Sequence, residues 1–185
     1  MAGALQLILQ ASLTQGRVPS DWKKAHIVPF FKKGDRATRG LRLYRPISLT
    51  SVCSKVMEHV LHSRPSIITH LEHHNVLPDQ QHGFRKTRSC ESQLILTIDD
   101  LAKSIDDSSQ TDAILLDFSK AFDKVSHTRL LSKLQHYGIR NSTLTWITDF
   151  LKDRTQDVLL DGQTSSESPV TSGVPQAQSL GPYCS

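Results

Sequence analysis

The sequence predicts an α+β fold, and three patterns carry that prediction. Apolar residues recur at helical spacing in several segments, the apolar tetrad Ala113-Ile114-Leu115-Leu116 sits between polar residues, and Asp161-Gly162 separates two short strand-like runs. With 185 residues, 37% hydrophobic and 22% charged, a packed core is feasible and a disordered or low-complexity chain is not indicated. The length suits one unit, or a piece of one.

Residues 4 to 13 carry Leu5, Ile8, Leu9 and Leu13 at helical spacing, and Gly16 with Pro19 closes this leading helix. Within Ser20 to Asp35 a brief apolar run flanks Pro29 and ends at Gly34-Asp35. It reads as an edge strand entering a loop, because proline has no amide hydrogen for a central ladder. From Thr50 a helix runs through Val52, Val56, Val60 and Leu61 until Pro65 stops it, and Ile67 to His74 forms another turn or two.

Ser89 is a plausible N-cap for a helix in which Leu94, Ile98, Leu101 and Ile105 form the buried stripe, and the polar run Asp106 to Thr111 ends it. The tetrad 113–116 suits a strand covered on both faces, at the centre of a sheet. Ser126 or His127 then begins a helix with Leu130, Leu131, Leu134 and Tyr137, closed by Gly138. Asn141 or Ser142 caps the next, with Leu144, Trp146, Ile147, Phe150 and Leu151. Gln156 to Leu160 and Gln163 to Ser168 make a hairpin around Asp161-Gly162, and the tail from Thr171 reads as loop.

Composition narrows the function class. No stretch approaches the roughly 20 apolar residues of a membrane helix, and the N-terminus lacks a basic n-region and a clear cleavage site. Cys53, Cys90 and Cys184 are odd in number and show no CxxC spacing, which fits a reducing, intracellular setting, nuclear or cytoplasmic. The net charge is +4, yet residues 23 to 45 hold eight basic side chains against Asp35 alone, so the remainder is net acidic. Such a patch is either a solvated face or a contact for an anionic partner. His59, His62, His70, His73 and His74 include helical i, i+3 and i, i+4 pairs, readable as metal ligands or, with no carboxylate or cysteine at matching spacing, as solvated histidines.

The sharpest chemical feature is Asp117, delivered at the end of the 113–116 tetrad. An acid at the rim of a buried strand can hold a metal ion beside an open loop, or simply end the strand and cap the next turn. Phosphoaspartyl enzymes share the pattern, but their second acid two positions on is here Ser119.

Asp117-Phe118-Ser119-Lys120-Ala121-Phe122-Asp123 resembles motif A of reverse transcriptases of LINE-type (non-LTR) retrotransposons, and Ser172-Gly173-Val174-Pro175-Gln176 resembles the start of their motif B. Trp22-Lys23-Lys24 to Ile27-Val28-Pro29, Lys32-Lys33-Gly34-Asp35 and Tyr44-Arg45-Pro46-Ile47-Ser48-Leu49 resemble the family's fingers segments. Gln81-His82-Gly83-Phe84-Arg85 with Arg88-Ser89-Cys90 resembles the next one. These segments occur in the family's order over roughly residues 20 to 182.

The resemblance implies a right-hand polymerase: a leading helix and linker over 1–20, fingers over 21–110 and a partial palm over 111–185. It implies transfer of dNTPs to a DNA primer on an RNA template with two Mg²⁺ ions, held by Asp117 and the backbone carbonyl of Phe118. Lys32, Lys33 and Arg45 would grip the triphosphate, which accounts for the local positive charge. Phe122 would be the steric gate against a 2′-hydroxyl, its plainer reading being core packing. Gln176 would touch the nucleotide or template base, and Ser172 and Gly173 would open the loop before the motif B helix. Arg85, Lys86 and Arg88 would meet template or primer phosphates. Asp123 reads as structural, or as a support behind the metal site, rather than as a metal ligand.

Three departures stand out. Ala177 replaces the motif B glycine, residues 35 to 44 are rich in arginine, and Arg64-Pro65 interrupts a helix that the family tends to continue. Motif C, an aromatic-X-Asp-Asp hairpin, is nowhere in these residues: Asp99-Asp100 and Asp106-Asp107 both precede motif A. The expectation is a fragment ending after motif B and inactive alone, since one carboxylate cannot hold two Mg²⁺ ions against their hydration. The alternatives are a catalytically dead nucleic-acid-binding remnant and a relic that folds poorly.

Overall fold

The computed structural model describes residues 2–31, 44–63, 67–85 and 87–175. Helix α1 (Ala2–Gln15) leads, and the short α2 (Ser20–Lys23) feeds β1 (Lys24–Phe31). β2 (Tyr44–Thr50) precedes α3 (Val52–Ser63) and α4 (Ile67–His73), and α5 (Cys90–Asp106) comes after a loop. The chain ends its described course with α6 (His127–His136), α7 (Asn141–Leu151), β3 (Arg154–Leu160), β4 (Gln163–Thr164) and β5 (Ser168–Val170). No helix among the described residues is long and apolar enough to cross a membrane.

The sheet is mixed. β1 pairs with β2 antiparallel and with β3 parallel, and β4 and β5 both pair antiparallel with β3. This corrects the reading of β1 as an edge strand. Residues 24 to 27 are paired with β3, and 25 to 27 with β2 as well, whereas Pro29 lies past the last β3 partner, opposite Pro46 of β2. The missing proline amide is thus confined to the half of β1 that β3 does not reach. The sheet also joins residues from the expected fingers to residues from the expected palm.

The core gathers where helices meet behind the sheet. Trp146 and Phe150 of α7 stack with ring centroids 5.1 Å apart, surrounded by Met57, Ile67, Leu71, Leu134, Ile147 and Leu151. Trp146 meets its polar demand by donating Nε1–H to Ser12 Oγ at 2.9 Å, which fastens α1 to α7. Two ionisable side chains are buried with this core. The Arg154 guanidinium lies over the Phe150 ring, 4.4 Å from its centroid, and Glu58 accepts a hydrogen bond from Ser54 Oγ at 3.1 Å. Burial pushes the Glu58 carboxyl up to about 7 against the opposing pull of Ser54 and Arg154.

Local signals act as expected in several places. Ser89 Oγ accepts from the Ser92 amide and Ser92 Oγ from the Ser89 amide, a reciprocal cap at the start of α5. Asp161 and Gly162 have φ of 50° and 79°, the positive values of the tight turn between β3 and β4. α7, by contrast, has Arg140 at its N-cap, with no side-chain hydrogen bond there, so neither Asn141 nor Ser142 caps it.

Two larger expectations fail. The tetrad 113–116 forms no strand: residues 111 to 118 have no regular structure, and Ile114 and Leu115 are 83% and 91% exposed. The stripe of α5 is likewise uncovered, with Leu94, Ile98 and Ile105 exposed and no residue of the helix buried. The reason is shared. A strand buried on both faces needs neighbours along its edges, and an amphipathic helix needs a surface to lie on. Among the described residues neither segment has one.

Candidate active site

The segment that ends motif A is fastened to the start of motif B. Residues 119–124 form consecutive turns between the exposed run 111–118 and α6. The backbone carbonyls of Phe122 and Val125 accept from the amides of Val174 and Gly173 at 3.0 and 2.8 Å. Ser172 Oγ donates to the Asp123 carbonyl at 3.1 Å. At Gly173 φ is +86°, and a Cβ there would sit 2.9 Å from the Asp123 carbonyl oxygen. Only glycine meets both conditions, the left-handed backbone and the close approach of another chain segment.

These contacts make one wall of a cleft of about 350 Å³. The floor is one face of the sheet, given by Ala25 and Ile27 of β1, Pro46 and Ser48 of β2 and Gln156 of β3, and that wall is Asp123 with Thr171 to Pro175. Alternation along the strands selects this set: Ile27 stands opposite Ser48, and Ala25 lies beside Gln156. Buried Arg154 also lines it.

The sequence-predicted residues are distributed unevenly about this cleft. Ser172 and Gly173 line it. Phe122 is half-buried and packs against the hydrophobic core, while its carbonyl holds Val174. Asp117 is exposed on the irregular run, as is Phe118 at 80%, and neither lines the cleft. No group of three or more His, Cys, Asp or Glu side chains that could hold a metal ion exists among the described residues. The described residues therefore do not fit a two-ion site, and Asp117 is a single hard oxygen donor. The same finding covers His59, His70, His73 and His74, while the side chain of His62 lies outside the described residues; His70 Nε2 bonds the Tyr137 carbonyl at 2.7 Å instead.

Arg85 and Arg88 are engaged within the chain. Arg85 lies 3.6 Å from Glu72 and donates to the Pro78 carbonyl at 3.1 Å, and Arg88 pairs with Asp79 at 2.7 Å. They fold the loop between α4 and α5. Lys32, Lys33, Lys86, Gln176 and Ala177 lie outside the described residues; Arg45 occupies β2 opposite Phe30, and its side chain lies outside them too.

Sequence reasoning missed Ser48, Gln156 and Arg154 as cleft residues and gave Asp123 a structural or supporting part. Ser48 sits in a segment that the resemblance singles out, so strand alternation offered a signal. Gln156 and Arg154 offered none, because their place depends on the parallel pairing of β3 with β1.

The model of the family described as reverse transcriptase (RNA-dependent DNA polymerase) matches residues 31–185. The RNA-directed DNA polymerase from mobile element jockey of Drosophila melanogaster is 33% identical over 178 residues, 96% of this chain and 19% of that protein. The probable RNA-directed DNA polymerase from transposon BS of the same fly is 33% identical over 184 residues, with 96% and 19% covered. The Pol polyprotein from type-1 retrotransposable element R2 of Popillia japonica is 26% identical over 176 residues, 95% of this chain and 24% of that protein. The chain thus spans about a fifth of the length of the first two relatives. Motifs in the family's order, a motif B glycine locked against motif A, and matches across nearly the whole chain lead to one conclusion: this chain belongs to the reverse transcriptase family, with relatives among the polymerases of LINE-type retrotransposons.

Proposed function

We propose that the cleft is part of the nucleotide site of a retrotransposon RNA-directed DNA polymerase, and that this chain supplies its fingers, over 21–110, and the first part of its palm, over 111–185. One observation carries the reading: residues from three separately recognised segments, Pro46 and Ser48, Asp123, and Ser172 to Pro175, line a single cleft. Lys32 and Lys33, which follow β1 in the sequence, and Arg45 of β2 would meet a triphosphate, with Gln176 at the base. Phe122 would limit the space for a 2′-hydroxyl. Arg85, Lys86 and Arg88 would meet nucleic-acid phosphates once Asp79 and Glu72 give way.

Reverse transcriptases as a family use divalent metal ions; in the whole polymerase Asp117 and the Phe118 carbonyl would be oxygen donors to Mg²⁺ alongside carboxylates from beyond motif B. The 185 residues alone would not catalyse. A second reading, a binding remnant without catalysis, is favoured by the basic patch over residues 23 to 45.

The test combines two assays on the 185-residue chain. An RNA/DNA hybrid should bind with affinity that falls steeply with salt, and dATP should perturb the amide signals of Ser172 to Val174. Hybrid binding without the dATP effect favours the remnant. Primer extension should yield no product, and incorporation that Asp117→Ala abolishes would overturn the inactivity.

A further inference from the structure

We infer that His127 is a positioning residue for the motif B loop, a role that gains its meaning from the nucleotide-cleft reading. His127 is the first residue of α6, and its Nε2 lies 2.7 Å from the carbonyl oxygen of Gly173. A carbonyl only accepts, so Nε2 carries the hydrogen and the imidazole donates. Gly173 is thereby held from both sides of its residue: its amide donates to the Val125 carbonyl at 2.8 Å and its carbonyl accepts from His127.

The consequence concerns orientation. Ser172 Oγ ties the preceding residue to Asp123, and the peptide between Gly173 and Val174 is held at both its ends: its N–H, that of Val174, donates to the Phe122 carbonyl and its C=O, that of Gly173, accepts from His127. Glycine at φ +86° has the widest backbone freedom of any residue, so without the His127 donor this peptide would keep a single tether, the Val174 amide on the Phe122 carbonyl, and would be held less firmly. His127 stands at the start of α6, a helix set by the Ser126 cap and by burial of Leu130 and Leu134 in the core. It thus refers the cleft wall to a rigid element. Its position ten residues after Asp117 sets the donor close in sequence to motif A, so motif A and the motif B loop share one anchor.

The experiment compares the wild-type chain with His127→Gln, whose amide nitrogen can replace Nε2–H, and His127→Ala, which has no donor. Nitrogen-15 spectra should show the Nε2–H tautomer in the wild type. Amide exchange at Gly173 and Val174 should quicken roughly three- to tenfold in His127→Ala, the change that loss of one neutral hydrogen bond supports, and return toward wild type in His127→Gln. Exchange at Leu130 to Leu134 should stay the same in all three, which separates loop release from loss of the fold. Equal exchange in the two variants, or an Nδ1–H tautomer, overturns the inference. If exchange behaves as stated while dATP leaves the wild-type loop signals unmoved, the positioning stands and the nucleotide reading of the cleft fails.

Discussion

At the scale of single residues, Gly173 and Glu58 are the positions where the backbone and the core are least tolerant. Gly173→Ala puts a side chain in a left-handed conformation and 2.9 Å from the Asp123 carbonyl. It should cost about 1–3 kcal/mol, read as a lowered urea midpoint, and should loosen Thr171 to Pro175. Glu58 makes a claim about pH. Its folded carboxyl titrates at about 7 and its ordinary value is 4.5, so the folded state holds the extra proton between those values. Stability from this group is therefore full below 4.5 and declines as pH rises through 7. Denaturant melts at pH values of about 4.5 and 7.5 should show that decline in the wild type but not in Glu58→Gln, a difference on the order of 3 kcal/mol. Asp157 acts in the opposite sense: the hydrogen bond from His26 holds its carboxyl below the usual carboxylate range, so its contribution is present above that range and lost in acid. Of these residues the sequence disclosed Gly173, through the Ser-Gly-Val-Pro-Gln run. Glu58 lay unremarked on a helix whose apolar positions were plain, because burial of a glutamate depends on Arg154, almost a hundred residues away.

At the scale of elements, the split between what was legible and what was not tracks the range of the forces. The Ser89 cap, the Asp161-Gly162 turn and the ends of α1 and α6 are set by neighbours within a few residues, and all were readable. Periodicity in α5 correctly gave an amphipathic helix, yet it could not say whether anything covers the apolar side. The tetrad 113–116 shows the same limit, since hydrophobic composition describes a strand's demand for partners and not their supply. α5 consequently exposes Leu94 and Ile98 at 61% and 57%. Leu94→Lys with Ile98→Lys should leave the unfolding free energy from urea melts within about 0.5 kcal/mol of wild type, because no packing is lost. The same change should reduce self-association in sedimentation velocity, since a contiguous apolar surface is removed. A destabilised double variant would mean that this face is covered in solution.

At the scale of the molecule, the candidate site became legible only in outline. Motif order announced which segments should converge, and the cleft brings three of them together. The charged residues expected to meet phosphate are a different matter: Arg85 and Arg88 are spent on folding their own loop. What sequence could not supply was the parallel pairing of β1 with β3, which makes the cleft floor continuous. A chain cut after Leu151 lacks β3 and with it the parallel partner of β1, the Asp157 partner of His26 and the Arg154 lid on Phe150. It should lose cooperative unfolding in urea while keeping much of its helical circular dichroism, and a sharp, unchanged transition would show that the sheet contributes little.

That parallel pairing also sets a timetable for synthesis. His26 and Asp157 are register neighbours separated by 131 positions. At ribosomal speeds of about 5–20 residues per second, β1 waits roughly 7–26 s after emerging before its second neighbour exists. For that interval its amides and carbonyls on the β3 side form an open template for other strands. The cluster of lysines and arginines that begins at Lys23 overlaps and follows this strand in the sequence, and mutual repulsion of nascent chains through those charges would keep neighbouring copies on a polysome from pairing before β3 arrives.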